Sequence, residues 1–229
     1  MMSSENNVPT LGQHTYVRMT IASLWENLPL VLLAGFVFSL LCIPAVLLFF
    51  LGLFLPALIV SALTIAPACA ALLALEGDVV RGVKTNIGTM FRVLPRYWTR
   101  SVGLGLVVCF PLAVALLTLP MLSLPQVPLV VWLGLGADAL GLLILAALYL
   151  HAFPLLVLHD LSVGTALRNA MVLASRRMGN TLGLLGMGIL FAFASAYVSP
   201  ALLFILPAVW GVFIVNNCRM VVEEELASG

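Results

Sequence analysis

Apolar residues fill this chain in long blocks, and the charges fall between them. No Asp, Glu, Lys or Arg interrupts the 49 residues between Glu26 and Glu76, the 37 between Arg100 and Asp138, the 21 between Asp138 and Asp160, or the 41 between Arg177 and Arg219. A helix needs about 20 apolar residues to cross a hydrocarbon core of about 30 Å. The first and last blocks therefore each hold two crossings and a turn, and residues 101–159 hold two more. Runs such as Leu142-Leu143-Ile144-Leu145-Ala146-Ala147 do not alternate as barrel strands do, so the crossings are helices. The predicted fold is all-α: a polytopic transmembrane helical bundle of six spans. The spans are expected over 28–50, 55–75, 101–120, a fourth ending near Leu158, 181–198 and 201–218. Gly52 and Pro56 bracket the first turn, Pro120, Pro125 and Pro128 end the third span, and Ser199-Pro200 joins the last two. A polar tail and lead-in, 1–27, precedes this single domain of 28–218, and an acidic tail, 219–229, follows it. The first apolar run is too long for the core of a cleaved leader.

The basic residues orient the bundle. Arg18, the set Arg81, Lys84, Arg92, Arg96 and Arg100, the set Arg168, Arg176 and Arg177, and Arg219 all fall on one side of a six-span chain, and the three opposite turns carry none. The positive-inside rule then puts both termini and both long loops in the cytoplasm, as in a multi-pass protein of a bacterial inner membrane. Each loop carries an amphipathic pattern. Val80, Val83, Ile87, Met90/Phe91 and Leu94 recur at helical spacing in the first, and Val163, Ala166/Leu167, Ala170/Met171, Ala174 and Met178 in the second. Both are expected to lie as helices on the inner leaflet. There the eight loop cations would meet anionic lipid or a partner protein. Asp160 or Ser162 is placed to cap the second.

Composition narrows the function. The chain is 63% hydrophobic and 8% charged, with a formal net charge of +1. That excludes an ordinary soluble enzyme, a nucleic-acid binder built on basic excess, and a disordered regulator. No phosphate loop, nucleophile elbow or metal-ligand spacing occurs, so no enzymatic activity, cofactor or metal is expected. The four cysteines sit in apolar spans, as packing residues do. Small residues at four-residue steps (Ala66, Ala70, Ala74; Gly179, Gly183; Ala192, Ala196) allow close helix packing, and one such face would suit a homo-oligomer.

Asp138 and His151 are the candidate polar site in the membrane. Two geometries compete for Asp138. A long fourth span over 129–156 buries it, which marks a functional site. A span starting near Ala137 makes Asp138 the cap of its outer end, with 121–136 interfacial. The second is favoured because it leaves no charge in lipid. His151 is thirteen residues further on, about 20 Å along one helix, too far for a direct pair. It is expected to bond to a neighbouring helix. His159 reads as an anchor at the inner end.

The stretch Tyr149-Leu150-His151-Ala152-Phe153-Pro154-Leu155-Leu156, then Asp160-Leu161 and Ala166-Leu167-Arg168-Asn169-Ala170, resembles the YesL-like family of small bacterial integral membrane proteins, whose activity is not established. Thr64-Ile65-Ala66-Pro67-Ala68 resembles that family's Thr-Ile-Gly-Pro-Ala segment, with Ala66 in place of Gly. The resemblance implies a non-catalytic accessory or regulatory component beside an ATP-driven sugar uptake system. A small secondary transporter or channel using Asp138 and broken helices is the alternative.

Overall fold

The computed structural model describes residues 13–123 and 126–228. The expected tail over 1–12, Pro125 and Gly229 lie outside them. Among the described residues there are eight α-helices and no strand: α1 (Gln13–Glu26), α2 (Leu28–Phe50), α3 (Phe54–Val80), α4 (Ile87–Thr118), α5 (Leu129–Leu158), α6 (Val163–Arg176), α7 (Met178–Phe193) and α8 (Leu206–Ser228). A short 3-10 segment, Leu119–Ser123, follows α4. A π turn, Ala194–Val198, and a 3-10 turn, Pro200–Phe204, join α7 to α8.

Among the described residues, five helices are long and apolar enough to cross a membrane: Leu28–Phe50, Phe54–Val80, Ile87–Ser123, Leu129–Leu158 and Met178–Val198. The segment expected as a sixth span, 201–218, holds the 3-10 turn and the first half of α8. Asn216, Asn217 and Arg219 make this helix the most polar of the long ones.

Local chemistry sets the boundaries. α2 and α3 both end on a left-handed glycine, Gly52 (φ 76°) and Gly82 (φ 69°). At each, the glycine N–H and the next one fold back on the last turn: Gly52 to Phe49 O with Leu53 to Leu48 O, and Gly82 to Val79 O with Val83 to Asp78 O. This paired Schellman closure needs a residue free to take positive φ. It also corrects the expected loop helix over Val80–Leu94. That segment is cut at 81–86, and Ile87–Leu94 form the first two turns of α4. The second loop helix is separate, as α6. Ser162 caps it, its Oγ accepting from Thr165 N at 3.4 Å, and Ala166, Ala170 and Leu173 bury its apolar edge. The expected lead-in is helical too: Thr20 of α1 is fully buried and accepts a hydrogen bond from Asn216 Nδ2 at 2.5 Å.

α3 is the axis of the packing. One apolar cluster joins it to α2 and α8 through Val31, Ala71, Leu75, Ala208 and Val212. A second joins it to α4, α5, α6, α7 and α8 through Ala70, Leu104, Leu156, Ala170, Leu184 and Val215. The stripe Ala66, Ala70, Ala74 is buried inside the bundle, where α4 comes close enough for Gly105 to rest on Ala62 and Ala66. Gly179, Gly183, Ala192 and Ala196 lie on the surface instead. Burial is concentrated toward one end, that of Val80 and Leu158. α5 is buried over Leu150–Val157 and not before. α2 shows Leu33, Phe36, Leu40, Ile43, Leu47 and Phe50 outward at three- and four-residue steps, a face suited to hydrocarbon rather than water.

Candidate functional site: a basic end, buried polar groups and an aromatic cavity

The first loop cations meet the second loop at Asp160. This residue follows α5 with φ 52°, a left-handed conformation that Asp tolerates better than most. Its Oδ2 lies 3.0 Å from Arg96 Nη2 and its Oδ1 2.6 Å from Arg100 Nη1, and Arg100 also donates to Asp160 O at 3.2 Å. One turn along α4, the Tyr97 hydroxyl donates to Val157 O at 3.1 Å. Hydrogen bonding from Arg96, against the opposing effect of desolvation and with a further hydrogen bond from Arg100, holds the Asp160 carboxyl below the ordinary carboxylate range. Of the two expected caps, Asp160 and Ser162, the structure uses the second. Asp160 fastens α4 to the α5–α6 connection.

The remaining cations divide. Arg81 pairs with Asp78 at 2.9 Å. Arg176 and Arg177 close α6. Arg219 pairs with Glu223 at 2.8 Å and donates to Val80 O at 3.3 Å. Lys84, Arg92 and Arg168 are exposed.

The polar residues of the apolar helices do not form one path. Asp138 lies nine residues inside α5, which starts at Leu129 behind Pro128. The expected cap geometry, with a helix beginning near Ala137, is therefore replaced by one continuous helix. Leu129-Val130-Val131-Trp132-Leu133 is already helical, because Pro128 fixes the entry and nothing after it breaks the turn. Asp138 is half-buried, in the part of α5 that buries no residue fully.

His151 is fully buried and bonds to a neighbouring helix as expected, its Nε2 standing 2.9 Å from Thr181 Oγ1 of α7. The Thr181 hydroxyl donates to Arg177 O at 3.1 Å. His151 Nδ1 has no partner among the described residues.

Sequence reasoning did not single out Glu76, which it placed at the rim of the second span. The helix continues past it to Val80, and Glu76 has no exposed surface. Neither carboxyl oxygen has a hydrogen-bond partner among the described residues, and neither does Asn217 Nδ2. The carboxyl is pressed on Gly211 of α8, where a methyl group would overlap both oxygens. The signal in the sequence is faint: an acid at the end of an uncharged run, and one glycine between Trp210 and Val212.

Beside this contact is a cavity of about 470 Å³. Cys69, Leu72 and Leu73 of α3 and Trp210, Gly211 and Ile214 of α8 form one side. The broken α7–α8 connection borders it through Ser195 and Leu203. That connection packs midway along α2, where Ser39 Oγ donates to Leu203 O at 2.8 Å and Phe204 O meets Gly35. Irregular backbone at such depth is tolerated where protein surrounds it or where it lines a cavity. No group of three His, Cys, Asp or Glu among the described residues is arranged to hold a metal ion. Compared with family models, with characterised proteins and with solved structures, the chain finds no match.

Proposed function

We propose that this chain is a six-span protein of the bacterial inner membrane, with both termini in the cytoplasm, and that it acts without catalysis as an accessory component of an ATP-driven carbohydrate uptake system. The observation that carries this reading is the basic end of the bundle. There α4 and the α5–α6 connection are fastened through Asp160, and Lys84, Arg92 and Arg168 are turned outward. A cation-bearing surface suits contact with anionic lipid headgroups and with a partner's cytoplasmic loops. α8 supplies the sixth crossing in this reading, its apolar half enclosed by the other helices. The YesL-like resemblance of the α5–α6 region supplies the transport context. A secondary transporter built on Asp138 has less support, since Asp138 and His151 lie apart along α5 and Asp138 is not in the cavity wall.

Membrane crosslinking followed by affinity purification tests the proposal. Permease subunits of a sugar transporter should copurify with the wild-type chain and be lost with the triple variant K84E/R92E/R168E. Recovery of abundant unrelated membrane proteins alone, equally with both chains, would remove its support.

A further inference from the structure

We propose that the cavity between α3, α5, α7 and α8 holds the end of a lipid acyl chain, which enters sideways from the bilayer past Ala146 and Ala192; this needs the bundle to lie in a membrane and no transport role for it. The wall decides the chemistry. No charged side chain of the described residues lines the cavity. Cys69, Tyr149, Ser195 and Trp210 bring polar atoms to it. Two of these are engaged elsewhere, the Tyr149 hydroxyl by Leu104 O and Trp210 Nε1 by Leu184 O at 3.1 Å. Water held in such a space needs about two to four polar partners. The rest of the wall is hydrocarbon and aromatic ring, Leu72, Leu73, Leu150, Phe153 and Phe191 among it, and it accepts an apolar body. A space of about 470 Å³ is also no packing defect, because close-packed interiors hold few voids larger than a water molecule.

The depth of the opening decides which apolar body. Ala146 of α5 and Ala192 of α7 belong to the wall and are exposed, so the cavity reaches the outer surface of the bundle there. Leu203 of the α7–α8 connection, also in the wall, is 52% exposed. Both alanines fall within helices apolar enough to cross a membrane. Ala146 stands twelve residues before the end of α5, and Ala192 fourteen after the start of α7. α6 joins those two helix ends. The opening is therefore about 18–21 Å from that end of the bundle, near the middle of a hydrocarbon core of about 30 Å. At such a depth the bilayer presents the ends of its acyl chains and no headgroup. Two small side chains at the rim leave the way in clear.

The test uses the full chain in lipid nanodiscs, with Trp210 as its sole tryptophan. Trp25, Trp98 and Trp132 are exposed and are replaced by Phe. The nanodisc lipid is phosphatidylcholine, either plain or brominated in the distal half of one acyl chain, and bromine quenches tryptophan emission on contact. Because Trp210 lines the cavity, brominated lipid should remove about half of its emission or more. Ala146→Phe/Ala192→Phe, which crowds the opening at two exposed positions, should restore most of that loss. Ala146→Leu/Ala192→Leu makes the same comparison should the phenylalanine pair not fold. Co-elution with the nanodiscs shows that the chain is embedded, so an unquenched Trp210 in the open chain would overturn the occupant while the membrane reading stands. Equal quenching in the open and crowded chains would overturn it too, since bromine would then reach Trp210 from outside the cavity. Quenching by aqueous iodide in place of brominated lipid would mark a water-filled space and overturn it likewise.

Discussion

Glu76 and Gly211 depend on each other at the level of single atoms. The acid fits because its neighbour has no side chain. Gly211→Ala is therefore expected to destabilise the bundle by about 1–3 kcal/mol, the usual result of overpacking a filled interior. Glu76→Ala opens the space that the added methyl needs. The double variant should consequently be less destabilised than the sum of the two single ones, a coupling that thermal unfolding in detergent measures directly. Strict additivity would mean that the two residues do not touch. This pair was not legible in the sequence. A carboxylate four residues from the end of a helix reads as a rim residue, because hydropathy is summed along one segment. Its burial is imposed by α8, which arrives from 135 residues further on. His151 was legible in kind, because a lone polar side chain in an apolar helix has to bond to another helix. That its partner is Thr181 depends on how α5 and α7 cross.

Helices were legible where apolar runs coincide with crossings. The first span matches α2 at both ends, Leu28 and Phe50. The start of α4 was misplaced because Arg92, Pro95, Arg96 and Arg100 read as a loop. A proline removes one backbone bond without ending a helix whose neighbours hold it, and here Tyr97 and the Asp160 pairs hold that turn in place. The link between α4 and the α5–α6 connection should depend on pH through Asp160. Its carboxyl titrates below its reference value of 3.8, first because of Arg96. A group whose folded pKa is depressed stabilises fully above the unfolded pKa, and loses that contribution as pH falls through the folded pKa. The wild-type chain should therefore exceed Asp160→Asn in stability by a constant small margin above about pH 5. The margin should shrink below 3.8 and also in high salt. A difference independent of both pH and salt would show that Asp160 acts through backbone shape alone.

For the whole molecule, the decisive relation is between the two ends of the chain. Thr20 of α1 bonds to Asn216 of α8, and Arg219 reaches the last carbonyl of α3, Val80 O. α1, the end of α3, the start of α4, α6 and the far half of α8 thus gather at one end, the end that holds Lys84, Arg92 and Arg168. Such a gathering calls for an even number of crossings. Among the described residues five helices are apolar enough to cross alone, so in the proposed topology α8 makes the return. It can be less apolar than the others because its neighbours, rather than lipid, surround it: Ala208, Val212 and Cys218 have no exposed surface. Hydropathy misjudges a helix of this kind, since it scores a segment as though lipid touched every side. The expected outcome is that single cysteines at Arg18 and Glu223, placed in a chain otherwise free of cysteine, react with a membrane-impermeant maleimide from the same face of the membrane. A cysteine at Leu51, in the exposed turn between α2 and α3, should react from the other face. Labelling of positions 18 and 223 from opposite faces would give an odd number of crossings, and the proposed return through α8 would then be wrong.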